Sequence, residues 1–95
     1  MNTANLLALV MQKQRVDSFR KIGKLIGVTG ANVARWAREE GKPTDAHIVE
    51  LCRLSGQDPA HWIVSIRFNS ANPQARTAWA KIYTAVNERK TLPLT

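Results

Sequence analysis

Hydrophobic positions recur at helical spacing along most of this chain, most clearly over residues 18–38, SFRKIGKLIGVTGANVARWAR. Phe19, Ile22, Gly23 and Ile26 stand at i, i+3, i+4 and i+7, the positions of one helical face, so that face is the buried one. Gly27 follows where a helix C-terminus favours a residue that adopts positive φ at no steric cost, and Val28 can return to the core. Thr29 suits the N-cap of a second helix, its hydroxyl accepting from the backbone amides of the next turn. In that helix Val33, Trp36 and Ala37 point inward. Gly30, Ala31, Asn32, Arg35 and Arg38 are left on the outer and end surfaces. The pattern therefore predicts two short amphipathic helices joined by a tight turn.

The rest of the chain reads in the same way. A first helix is predicted over residues 3–15, with Thr3 as cap and Leu6, Leu7, Leu9, Val10 and Met11 as its apolar surface. Val16 and Asp17 connect it to the helix capped by Ser18. Beyond Trp36 the third helix runs on through Arg38, Glu39 and Glu40 to a stop at Gly41, with Lys42 and Pro43 in the loop. Thr44 or Asp45 caps a fourth helix that carries Ile48, Leu51, Cys52 and Leu54 and ends at Gly56. Asp58 before Pro59 opens a fifth, because proline at the first helical position gives up an amide that has no partner there. Trp62, Ile63, Val64, Ile66 and Phe68 make that helix too apolar for a purely exposed element. Asn72 before Pro73 repeats the start signal for a sixth helix to about Arg89, in which Ala75, Trp79, Ile82 and Val86 form a coiled-coil-like stripe.

No strand, repeat or low-complexity segment is evident, and the expectation is an all-α bundle of five to six helices. The core is expected from Leu6, Val10, Phe19, Ile22, Ile26, Val28, Val33, Trp36, Ile48, Leu51 and Ile63. Residues 1–70 are assigned to one folded unit, 71–89 to a C-terminal helix for dimerisation or core packing, and 90–95 to a flexible tail.

Charge sharpens this picture. The 95 residues carry a net charge of +7, which favours a polyanionic partner. The excess is concentrated. Lys13, Arg15, Arg20, Lys21, Lys24, Arg35 and Arg38 face the single acid Asp17 between positions 13 and 38. The lone Cys52 is expected as a small core residue in a reducing, cytoplasmic setting. No apolar run approaches the roughly 20 residues of a membrane span, and the N-terminus lacks the pattern of a signal peptide.

The spacing of small Gly23, turn Gly27, Val28, the cap Thr29, and the hydrophobes Val33 and Trp36 resembles the helix-turn-helix regulators of the phage Cro and lambda-repressor type. The resemblance is specific over about twenty residues, with weaker similarity to small prophage-encoded proteins across most of the chain. It implies a lambda-repressor-like fold whose second motif helix lies in the DNA major groove. It also implies a transcriptional regulator of a bacterial cell or phage-infected host that represses by occupying an operator. Two positions depart from the family pattern. Gly23 replaces the usual alanine, at roughly 0.5–1 kcal/mol of helix propensity, and points to very close helix packing. Gly30 and Ala31 stand where the family often has longer base-reading side chains.

Within that frame the side chains can be given roles. Asn32 and Arg35 lie one turn apart, and their amide and guanidinium suit adenine and guanine edges; Ala31 joins them as a base-contact candidate. Thr29 and Gly30, at a helix N-terminus, suit a phosphate. Ser18, Arg20, Lys24, Arg38 and Lys42 are further backbone-contact candidates, with Lys13, Arg15 and Lys21 in the same basic pool. Because a single recognition helix reads only a few base pairs, a homodimer is expected, with Ala75, Trp79, Ile82 and Val86 as its interface.

Other chemistry has little support. His47 and His61 lack the close spacing of zinc ligands with each other or with Cys52 and Glu50, and are read as helix-surface histidines. The chain has no phosphate-cradling glycine loop and no nucleophile motif, so neither an enzyme, a cofactor nor a small-molecule substrate is expected. Single-strand binding needs exposed aromatics among basic residues. Trp36 and Trp79 are read as packing residues, and only Tyr83 and Trp62 are candidates for exposure, away from the basic cluster. The alternatives are an excisionase or replication-control protein on DNA, or a protein-interaction module such as an antitoxin or antirepressor.

Overall fold

The computed structural model describes residues 2–70 and 73–91, which form six α-helices and, among the described residues, no strand. These are α1 (Thr3–Gln14), α2 (Phe19–Ile26), α3 (Gly30–Ala37), α4 (Asp45–Ser55), α5 (Pro59–Ser70) and α6 (Pro73–Thr91). The all-α architecture is the expected one.

Local chemistry sets the helix ends. Ser18 Oγ accepts from the Lys21 amide at 3.2 Å to start α2. Gly27, at φ 78°, ends it with its amide turned back to the Gly23 carbonyl. Thr29 Oγ1 accepts from the Asn32 amide at 3.2 Å and starts α3. Two boundaries differ from expectation for a reason visible in the hydrogen bonds. Asn2, not Thr3, caps α1: Asn2 and Asn5 exchange side-chain to backbone hydrogen bonds of 2.9 and 3.0 Å, and Thr3 is buried. α3 stops at Ala37 rather than Gly41. There Glu39 adopts the left-handed conformation at φ 61°, its amide donates to the Trp36 carbonyl, and the Glu40 amide reaches back to the Arg35 carbonyl at 3.0 Å. This closing arrangement usually has glycine where Glu39 stands, which is why Gly41 drew the sequence reading too far.

α1 lies against α4 and α3, and α2 packs on α3 and α4. The centre is filled by Leu6, Leu7, Val10, Ile22, Val33, Trp36, Ile48 and Leu51, with Phe19, Ile26, Val28 and Ile63 packed partly buried around them. Cys52 is fully buried. Its thiol is pushed up to about 11, first by burial and then by the nearby charge of Asp58. Trp62, a candidate for exposure, is buried instead, its Nε1 donating to Gln57 Oε1 at 3.2 Å.

α5 is apolar on several sides because it is covered on two: Trp62 and Ile66 belong to the core, and α6 lies along another side. Tyr83 brings α6 there, its ring 5.8 Å from Phe68 and 5.9 Å from His61, and Arg76 sits 5.1 Å over the Phe68 ring. His61 is therefore buried rather than a helix-surface residue. At about 100° per residue, the face carrying Arg76 and Tyr83 is offset by roughly a quarter turn from the predicted stripe. Ala75, Trp79 and Val86 are half-buried, and Ile82 is 45% exposed. The backbone of residues 90 and 91 continues α6; the rest of the predicted tail, 92–95, and the predicted start at Asn72 lie outside the described residues. Among the described residues no helix is long and apolar enough to cross a membrane.

Candidate nucleic-acid interface

The α2–turn–α3 unit shares the core through Ile22, Val33 and Trp36, and at two glycines its backbones come into direct proximity. A methyl group at Gly23 would run into the Val28 carbonyl oxygen and crowd Thr29 and Gly30, and one at Gly30 would lie 2.8 Å from Arg20 Cα. These two glycines let the start of α3 press directly onto α2. As a result Arg20 springs from the chain beside the α3 N-terminus, next to Thr29 and Gly30.

With Val33 and Trp36 buried, α3 turns Ala31, Asn32, Arg35 and Arg38 outward, all of them exposed. Arg35 lies over the loop that follows, its guanidinium within ordinary contact of a methyl group placed on Gly41. Asn32 and Arg35 share an open groove of about 280 Å³ with Lys42, Thr44 and His47. Thr44 and His47 form the capping box of α4: Thr44 Oγ1 accepts from the His47 amide at 3.2 Å, and His47 Nδ1 accepts from the Thr44 amide at 3.4 Å. The His47 ring lies 5.2 Å from that of Trp36.

Ion pairing divides the basic cluster. Lys21 is bound to Asp17 at 2.8 Å, and this hydrogen bond and charge hold the Asp17 carboxyl below its ordinary range. Arg38 is bound to Glu40 at 3.1 Å. Among the described residues Lys13, Arg15, Arg20, Lys24 and Arg35 make no ion pair. Lys13 and Arg15 stand apart from the α3 groove, beside Leu9, Gln12 and Ser55 in a separate hollow where α1 ends against α4. Ser18 and Thr29 are both engaged as helix caps through their hydroxyl oxygens.

The structure thus gathers Arg20, Thr29 and Gly30 at one end of α3 and Asn32, Arg35 and Lys42 at its side. Thr44 and His47 join this second group without having been singled out as interface residues. The signal was available: Thr44 followed three residues later by a hydrogen-bonding side chain is a capping-box pattern, with histidine where glutamate or glutamine is usual. Among the described residues no three His, Cys, Asp or Glu side chains are grouped to hold a metal ion. No protein-family model, curated protein or solved structure matches the chain.

Proposed function

We propose that this protein is a sequence-specific duplex-DNA-binding regulator of the helix-turn-helix type, acting as a dimer on an operator. It needs no cofactor and performs no catalysis. The observation that carries the reading is the outer surface of α3. Asn32 and Arg35 stand exposed one turn apart, on a helix seated by Gly23 and Gly30 beside Arg20. Arg20 beside the start of α3, Arg35 itself and Lys24 on α2 carry charge that no carboxylate of the described residues neutralises. An amide and a guanidinium in that setting match adenine and guanine edges in a major groove, and the surrounding cations match phosphates.

The test is duplex binding followed by fluorescence anisotropy from low to physiological salt. With about 6 phosphates neutralised, the log–log slope should be near −5. A flat response, or tighter binding to single strands than to duplex, contradicts the reading. Mapping protected positions on DNA flanking the protein's own gene would supply the operator. A second reading, a protein-interaction module such as an antitoxin, draws on the 45% exposure of Ile82 on α6. A chain that binds a protein partner and no duplex would establish it.

A further inference from the structure

We infer that His47 is a phosphate-contacting residue, donating from Nε2 to the DNA backbone where the duplex passes the groove between α3 and α4. This deepens the DNA-binding reading and rests on it. Three features of the groove point the same way.

The first is the direction of the ring. Nδ1 accepts the Thr44 amide at 3.4 Å, so the neutral imidazole carries its proton on Nε2 and has that donor left to give. The contact with Trp36, 5.2 Å between ring centres, restrains the ring further. A donor already held in place loses little freedom on binding.

The second is the choice of residue. In a capping box the third helical position ordinarily holds glutamate or glutamine, whose side chain reaches back to the N-cap amide. Glutamate would serve the helix well, since a negative charge is favourable at its N-terminus. Histidine makes the same backbone contact and brings no negative charge.

The third is the surroundings. Among the described residues no carboxylate lines the groove, whose polar side chains are Asn32, Arg35, Lys42, Thr44 and His47. The one acid in the first turn of α4, Asp45, is bound to Arg67 of α5 at 2.6 Å. The acids closing α3 are also outside it, with Glu40 on Arg38. A ligand taken by such a groove is an anion, and beside the proposed base-reading residues that anion is a phosphodiester. The arrangement makes His47 a sequence-independent contact that sets the register of α3 on the duplex.

Two substitutions that keep the capping box test this. His47→Gln retains an acceptor for the Thr44 amide and exchanges the fixed ring donor for a flexible amide. His47→Glu retains the acceptor and adds charge. Both should melt within a few degrees of the wild type. His47→Gln should weaken duplex binding by about tenfold, the scale of one hydrogen bond to a charged group, and His47→Glu by more. Each loss should be the same on operator and random DNA. Wild-type affinity in both variants overturns the inference, as does a loss confined to the operator, which would make His47 a base contact. Binding that falls only in step with thermal stability assigns His47 to the fold and overturns it too. A wild-type protein that binds no duplex at all removes the DNA reading, and this inference with it.

Discussion

The helix pairs α2–α3 and α5–α6 are built on contrasting principles. α2 and α3 approach through glycines, with backbone against backbone and their long polar side chains turned away from the contact. α5 and α6 meet through rings: Tyr83 lies against Phe68 and His61, and Arg76 lies over Phe68. A backbone contact fixes the relative position of two helices within narrow limits, because no side chain can change rotamer to absorb a shift. An aromatic contact is more forgiving, since rings can slide while keeping much of their buried area. The first arrangement suits a helix that must present side chains in register to a rigid ligand. The second suits a helix whose outer face is free to meet something else.

The contrast is broken most severely at Gly23. Alanine there gains up to about 1 kcal/mol of helix propensity, yet its methyl group meets the Val28 carbonyl oxygen, which the turn cannot easily move. A net loss of about 2–3 kcal/mol is expected, in the range of overpacked sites, measurable by urea denaturation. The same change at half-buried Gly41, whose added methyl would make only ordinary contacts, should lie within roughly 0.5 kcal/mol of wild type. A stable Gly23→Ala would mean that the α2–α3 contact is not backbone-limited.

The all-α fold was legible because most helix boundaries are written in local chemistry. Ser18, Gly27, Thr29, Gly56 and Pro59 each act on the few residues beside them, and the apolar spacing between them supplies the buried faces. What escaped depends on groups distant in sequence or on unusual residues in common roles. Asn2 caps α1 through Asn5, and Glu39 ends α3 in a conformation usually left to glycine. The face of α6 that docks on α5 was not legible because Tyr83 and Arg76, which make the contact, are not the most apolar residues at helical spacing. That Asn32 and Arg35 face outward could be read from the α3 pattern alone. The groove joining them to His47 could not, since it exists only once the loop of Gly41 and Lys42 has folded back beside α3.

A smaller effect, confined to binding, sharpens the α2–α3 side of the comparison. Arg35→Ala removes an exposed side chain and should leave stability within about 0.5 kcal/mol of wild type. On the operator it should cost ~1–3 kcal/mol, the worth of a bidentate base contact, with much less lost on random duplex. Lys24→Ala provides the control: if Lys24 meets a phosphate, the change should weaken binding to both DNAs alike. Anisotropy titrations on the two duplexes separate the cases, and equal losses for Arg35→Ala would demote Arg35 to a backbone contact.

The smallest expected change in stability comes from α6, where neighbouring residues have opposite surroundings. Tyr83 is engaged with α5, whereas Ile82 is 45% exposed. If the outer face of α6 joins two copies, Ile82→Glu places a charge in the interface. It should give a folded monomer whose stability at low concentration changes by no more than about 0.5 kcal/mol. Operator binding should weaken with it, because a half-site loses its linked neighbour. Tyr83→Ala should do the reverse, loosening α6 from its own domain at a cost of about 2–3 kcal/mol, below the range for a fully buried ring because Tyr83 is only half-buried. Sedimentation and circular dichroism on both variants decide the matter. An Ile82→Glu protein that remains a dimer places the interface elsewhere, and a wild type that sediments as a monomer removes the dimer from the proposed function. Trp79→Ala, at a half-buried position on the predicted stripe, should show some of each effect, because that residue lies between the face that docks on α5 and the face left open.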